Sequence, residues 1–218
     1  MINRNDIIGP RIQRIEAISD GVFGVALTLL VLDIKVPGSE TIHTESDLVS
    51  AFSTLLPQFL TYFLSFLTLG LAWSGQSTQF THYIKHNDLK LNWITLFHLL
   101  FVTTVPFSTA FLSAHIAYKF AIGLYWLNIF LLGSLRLINW NYAYRHNLIN
   151  IDEKGKNALH KAMNRRIFIA QTLYAVAALL CFINPYLSIG TTILIQLNYV
   201  FEVFRSQQRL STGTLRTH

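Results

Sequence analysis

The sequence predicts an all-α integral membrane protein with six membrane-spanning helices per subunit and both termini on the cytoplasmic side. Three observations carry that expectation. Of 218 residues, 52% are hydrophobic and only 13% charged, about half the charged fraction of a soluble domain. The mean hydropathy is +0.40. Fifteen of the seventeen Lys and Arg residues fall on one side of a six-span topology, as the positive-inside rule requires.

The first apolar segment, Ala17–Ile34, contains "AISDGVFGVALTLLVLDI" and poses a problem. Asp20 and Asp33 bracket only twelve uncharged residues, Gly21 to Leu32. At about 1.5 Å per residue these span roughly 18 Å, against about 30 Å of hydrocarbon. The polar ends must therefore meet protein or water, and a helix packed among others and lining a shared axis needs no lipid-length apolar core. Asp20 is expected in a local charge network with Arg14 and Glu16. Gly21, Gly24 and Ala26 are small enough for close helix packing. Val25, Thr28, Leu29 and Leu32 recur at i, i+3, i+4 and i+7 and share one stripe, with Asp20 more than 90° away.

A polar loop and a short amphipathic stretch, "VPGSETIHTESDLVSAFSTLLP", lead into the second segment, Leu56–Phe80. The third is Leu91–Phe111. Neither carries Asp, Glu, Lys or Arg. The fourth is Ile116–Ile138. The fifth and sixth, Ile167–Ile183 and Tyr186–Phe204, share one uncharged run that Asn184-Pro185 breaks into a helical hairpin. Between segments four and five, Asn139 to Arg166 reads as a basic, helix-like loop suited to anionic headgroups. The chain reads as one six-helix domain, residues 1–218, with short cytoplasmic tails.

The side count gives Arg4, Arg11 and Arg14 ahead of segment one, and Lys85 and Lys90 between two and three. Seven more lie between four and five and three follow segment six, whereas Lys35 and Lys119 alone stand opposite. The basic balance is thus a topology signal rather than one for nucleic acid. The single cysteine, Cys181, excludes an intramolecular disulfide framework, and no secretory leader is read at the amino terminus.

Chemistry-bearing patterns are sparse. There is no Gly-rich phosphate loop, no nucleophile elbow and no Ser–His–Asp spacing, so an enzyme is not expected. The His82/His86 pair at i, i+4 lacks further ligands for a metal site. His98 is the one histidine at membrane depth and reads as a satisfied core residue. No TVGYG run is present, which removes the carbonyl-cage filter.

"RIEAISD", Arg14 to Asp20, resembles the R-x-x-x-F-S-D signature opening the first helix of the transmembrane protein 175 family, the lysosomal potassium channel and its prokaryotic homologues. Trp73 in "SFLTLGLAW" and "PFST", Pro106 to Thr109, follow in the family's order. Ile18 replaces the signature phenylalanine, and Gly75-Gln76 stand where many prokaryotic members have histidines. The resemblance implies a homotetramer in a cell membrane, self-assembled because this chain has one signature. In it four first helices line a central pore for monovalent cations, potassium over sodium. By position, Val25 is the apolar constriction, Thr28 the hydroxyl layer, and Leu29 and Leu32 continue the lining. Arg14, Ser19, Asp20 and Trp73 form the network holding that helix. The expected partners are the chain's own copies, lipid and permeant cations, with no cofactor besides permeating potassium. A different reading keeps Asp20, Glu16 and His98 as the proton relay of a coupled transporter.

Overall fold

The computed structural model describes residues 12–150 and 153–214, without the side chains of residues 41, 153, 154 and 203–214. The amino-terminal tail with Arg4 and Arg11, and Arg216 at the other end, lie outside the described residues. The described chain is helical throughout. Its helices are α1 (Ile12–Leu29), α2 (Glu45–Ser53), α3 (Leu56–Thr78), α4 (Leu89–Ala114), α5 (Lys119–Arg145), α6 (Glu153–Leu179) and α7 (Pro185–Thr214). Five of the long helices, with their flanking turns, are long and apolar enough to cross a membrane: Ile12–Asp33, Leu56–Tyr83, Leu89–Ala114, Lys119–Arg145 and Gly155–Phe182. The sixth segment forms the first two-thirds of α7, where Thr191, Thr192, Gln196 and Asn198 interrupt the apolar run.

The first helix begins earlier than its apolar run suggests. With the 3-10 turn Leu30–Asp33 it extends over 22 residues, about 33 Å at 1.5 Å each. The added turn, Ile12 to Glu16, carries Arg14 and Glu16. The amphipathic stretch after the first loop is α2, whose start is set by a reciprocal capping box. Thr44 Oγ1 accepts from the Asp47 backbone N–H, and Asp47 accepts from the Thr44 backbone N–H.

The basic segment Asn139 to Arg166 is not one loop. Residues 139–145 finish α5, and residues from 153 onward begin α6, so most of the segment continues spanning helices. The connection between them is pinned to the one joining α3 and α4 by a single antiparallel bridge, Ile84 to Ile149. There Lys85 N–H donates to the Leu148 carbonyl at 3.0 Å and Asn150 N–H to the Tyr83 carbonyl at 3.1 Å. Asn147 takes φ 55° in this connection, a left-handed conformation that asparagine tolerates. The last helix also runs past the expected end at Phe204, to Thr214.

At the centre, α4 packs on α1, α3 and α5. Phe23, Ala26 and Leu30 of α1 and the following turn meet Leu69 of α3, Leu99, Val102 and Val105 of α4, and Leu132 of α5. At the opposite end from the amino terminus, Leu64, Leu112, Ile122, Tyr125 and Ile189 form a second cluster. A buried hydroxyl network crosses this half: Tyr125 OH lies 3.1 Å from Ser65 Oγ and 2.9 Å from Thr68 Oγ1. Thr109 joins Ser65 at 2.6 Å, and the Gln196 amide donates to Thr68 Oγ1 at 2.6 Å. Polar groups with internal partners avoid the desolvation cost of hydrocarbon, and here they tie α3, α4, α5 and α7 together. Outside this core, Phe63, Phe66, Phe97, Phe107 and Leu194 stand exposed on the outer surface.

Candidate functional site

The first helix has two faces. Ile15, Ser19, Phe23, Ala26 and then Leu30 are buried, each at 5% exposure or less. Their mutual spacing of three, four or a sum of these keeps them on one side of a 3.6-residue helix. Roughly 120° round the helix lie Val25 (59% exposed), Thr28, Leu29 and Leu32 (71%), so the stripe recognised in the sequence points away from its own chain. Gly21 and Gly24 lie on that open side too. A Cβ added at either would meet nothing within 4 Å. The close packing expected of them therefore does not occur inside one chain.

Thr28 donates its hydroxyl proton to the Val25 carbonyl at 2.8 Å. A hydroxyl has one proton and two acceptor lone pairs, so this back-bond leaves oxygen acceptors turned outward from the stripe.

The amino-terminal half of α1 is fastened to α3 by two side-chain bonds. Ser19 Oγ donates to the Ile15 carbonyl at 2.8 Å, and Gln76 Nε2 donates to Ser19 Oγ at 2.8 Å. One turn earlier on α3, Trp73 Nε1 donates to Asp20 Oδ1 at 2.8 Å. Three of the four network residues are thus brought together, with Trp73 43% exposed and Asp20 on the open edge. Arg14 is exposed, and neither Glu16 nor Asp20 forms an ion pair with it. The expected charge network is replaced by hydrogen bonds from neutral donors, because both partners of Ser19 and Asp20 sit on α3 rather than on α1 itself.

Gln76, noted in the sequence only as a departure from the histidine pattern, closes the network. Its position three residues after Trp73 puts both on the α1-facing side of α3. Gly75 has a separate role: a Cβ there would lie 2.0–2.1 Å from the Arg136 guanidinium. Absence of a side chain at Gly75 therefore makes room for an α5 arginine that sequence spacing did not connect with it.

A cavity of about 130 Å³ opens between these helix ends. Glu16, Ser19 and Asp20 form its α1 wall with Phe23. Trp73, Gln76 and Ser77 of α3 form its other wall, together with Phe80 and Thr81 of the π turn that follows. His98 is not among the lining residues. It is 2% exposed in the core, its ring centroid 6.2 Å from that of Phe23. Neither ring nitrogen makes a hydrogen bond of good geometry, and the Leu132 backbone approaches the ring, so His98 is buried in the core as expected. Phe23, a wall of the cavity, packs on it, and the carboxylates of Glu16 and Asp20 form no continuous hydrogen-bonded relay to the imidazole.

Comparison with known proteins returns one family. The profile of the endosomal/lysosomal potassium channel TMEM175 matches residues 14–106, from the start of the signature to the α4 proline. A potassium channel of Chamaesiphon minutus is 33% identical over 183 residues, covering 81% of this chain and 87% of that protein. The chain belongs to the TMEM175 family. Its members are ion channels, not enzymes. A potassium channel of a Chryseobacterium species is 27% identical over 198 residues, 90% of this chain and 96% of its own length. The human endosomal/lysosomal proton channel TMEM175 is 36% identical over 99 residues, 43% of this chain and 19% of the longer protein. The crystal structure of a lysosomal potassium-selective channel TMEM175 homologue from Chamaesiphon minutus superposes with a TM-score of 0.75 at 28% identity. That match covers 88% of this chain and 97% of the other. As a TMEM175 protein the chain is a multi-pass membrane protein.

Proposed function

We propose that this TMEM175 protein is the subunit of a homotetrameric, potassium-permeable leak channel of the cell membrane. In this reading α1 lines the central pore, and all of 1–218 forms one six-helix domain with both termini cytoplasmic. The observation that carries the reading is the open stripe of α1. Val25, Thr28, Leu29 and Leu32 are exposed while the opposite face of the same helix is nearly inaccessible. A lipid-facing stripe would account for the aliphatics, but not for two glycines and an outward-facing hydroxyl on the same side. Small residues let helix backbones approach each other in a membrane, which a fourfold axis requires of its lining helix.

Around such an axis four Thr28 oxygens replace part of a cation's hydration shell. Rings of Val25, Leu29 and Leu32 form an apolar constriction that closes by dewetting. Neither step needs a resident cofactor. Ser19, Asp20 and Trp73, with Gln76, then hold the amino-terminal end of the lining helix against α3, and Arg14 stands at the membrane surface above them. The basic ends of α1, α5 and α6 face the cytoplasm.

The test is flux in liposomes. Potassium should follow its own gradient and set the potential at its equilibrium value. Val25→Asn should raise conductance and weaken the preference for potassium over sodium, since an amide ring hydrates a gap that valine leaves dry. Thr28→Val should lower that preference, with Thr28→Ser retaining it. Unchanged currents in Val25→Asn would remove α1 from the pore, and fixed stoichiometric coupling to protons would make the protein a transporter.

A further inference from the structure

Arg136, well inside α5, is a charge without a counter-charge. It makes no hydrogen bond or ion pair to any described residue, and its Nε is closed off from solvent. Gly75 of α3 yields the space in which its guanidinium lies. An ionised group within a spanning segment ordinarily pairs with another charge or with backbone carbonyls, and burial without a partner is costly. The surrounding groups sharpen the need. Arg136 lies within electrostatic reach of Arg166 and Tyr174 on α6, Tyr174 within reach of Tyr199 on α7, and Tyr199 within reach of Arg166. These four groups close a circuit across three helices, and none has a hydrogen-bond partner among the described residues. Glu202, exposed beside Tyr199, is the one acid brought near and leaves the cluster net positive. His98, within the same reach of Arg136, adds no negative charge.

Helix length sets the level of the cluster. Residues 120–135 ahead of Arg136, 167–184 beyond Arg166 and 185–201 ahead of Glu202 are uncharged runs of 16, 18 and 17 residues. At about 1.5 Å each, the runs measure roughly 24–27 Å. All three start from one end of the bundle, where Ile122 and Tyr125 pack with Cys181 and Ile189. The charges therefore share one plane, near the boundary between about 30 Å of hydrocarbon and the headgroups.

We propose that this cluster holds the phosphate of an anionic phospholipid. A guanidinium fork matches the two non-bridging oxygens of a phosphodiester, and the two phenol hydroxyls supply further donors. Basic pockets between spanning helices take anionic headgroups in this way. The level of the cluster favours a lipid over a soluble anion, because lipid phosphates already reside there. Phe168 and Ile169, exposed just beyond Arg166 on α6, offer apolar contact to the acyl chains. A zwitterionic lipid carries the same phosphodiester, but its own cation is repelled by the two arginines.

The probe is phosphatidylglycerol, titrated into the purified full-length protein in detergent, with lipid bound per chain read by native mass spectrometry. Phosphatidylcholine and inorganic phosphate are the comparisons. Phosphatidylglycerol should bind about fivefold or more tightly than phosphatidylcholine, the factor that one basic residue contributes at an anionic surface. Arg136→Gln and Arg166→Gln should each weaken its binding by about that factor, and Glu202→Gln should tighten it. Arg165→Gln removes the adjacent exposed charge, which lies outside the circuit, and should change binding less than about twofold. Arg165 and Arg166 are both exposed and bonded to no described residue, so both variants should fold as the parent does and only the site tells them apart. Equal binding of the two lipids, equal losses in Arg165→Gln and Arg166→Gln, or displacement of the lipid by equimolar inorganic phosphate would overturn the proposal. So would an assembled structure with a neighbouring copy's carboxylate on Arg136. Lipid bound per chain does not depend on ion flux, so this inference and the channel reading fail separately.

Discussion

Replacing Ser19 with alanine strands the Gln76 amide. In the parent protein Gln76 has one partner, Ser19 Oγ at 2.8 Å, and an Oε1 with none inside the chain. Ser19→Ala removes that partner and leaves a side chain at 4% exposure without a bond at either end. A buried donor orphaned in this way costs about 1–3 kcal/mol. The lost bond from Ser19 to the Ile15 carbonyl adds little, because a hydroxyl back-bond of this kind is close to neutral for a helix. Gln76→Leu should cost less, about 1 kcal/mol, since it removes donor and acceptor together and Ser19 keeps its bond to Ile15. The double variant Ser19→Ala/Gln76→Leu should therefore lie near Gln76→Leu alone, a favourable coupling of about 1–3 kcal/mol. Reversible unfolding in mixed micelles, followed by far-ultraviolet circular dichroism, measures all four corners of the cycle. Costs that simply add in the double variant, to within about 0.5 kcal/mol, would show that Ser19 and Gln76 do not act as a pair.

Trp73→Phe keeps the ring but deletes the indole N–H that Asp20 accepts at 2.8 Å. The pair is partly exposed, so about 1 kcal/mol or less should be lost from the single chain by the same unfolding assay. The yield of assembled protein on size-exclusion chromatography should fall more than that of the folded chain. The α2 cap should resist acid. The Thr44 hydroxyl, followed by the backbone N–H groups of His43 and Thr44, holds the Asp47 carboxyl below the usual carboxylate range. A depressed value means that the cap's contribution is fully present above about pH 3.9 and is lost as pH falls through the lower folded value. Amide exchange of residues 45–53 should therefore stay slow through pH 4 and quicken only below it, with Asp47→Asn removing the pH dependence.

Much of the fold is local and was readable as such. Membrane spans announce themselves by the absence of charge, and Asn184-Pro185 marks a helix break by a mechanism that acts locally. The stripe of Val25, Thr28, Leu29 and Leu32 was equally legible, because helical periodicity alone decides which residues share a face. The extent of the first helix was less so. Its first turns are polar, and hydropathy cannot distinguish a charged turn that continues a helix from one that precedes it. Asn139 to Arg166 misled for the same reason: it is polar, but most of it extends α5 and α6 beyond their apolar stretches.

What the sequence determined by itself is therefore the membrane class, the family and the composition of each face of the first helix. Which face was spoken for required the tertiary structure. Burial of Ile15, Ser19, Phe23, Ala26 and Leu30 depends on α3, α4 and α5, whose residues lie far along the chain. The same holds for the pairing of Asp20 with Trp73 rather than Arg14, for Gln76 as the partner of Ser19, and for the space Gly75 yields to Arg136. Spacing along a chain fixes neighbours three and four residues apart. Contacts across more than fifty residues depend on how helices of similar composition choose their partners, and that choice is made by packing as a whole.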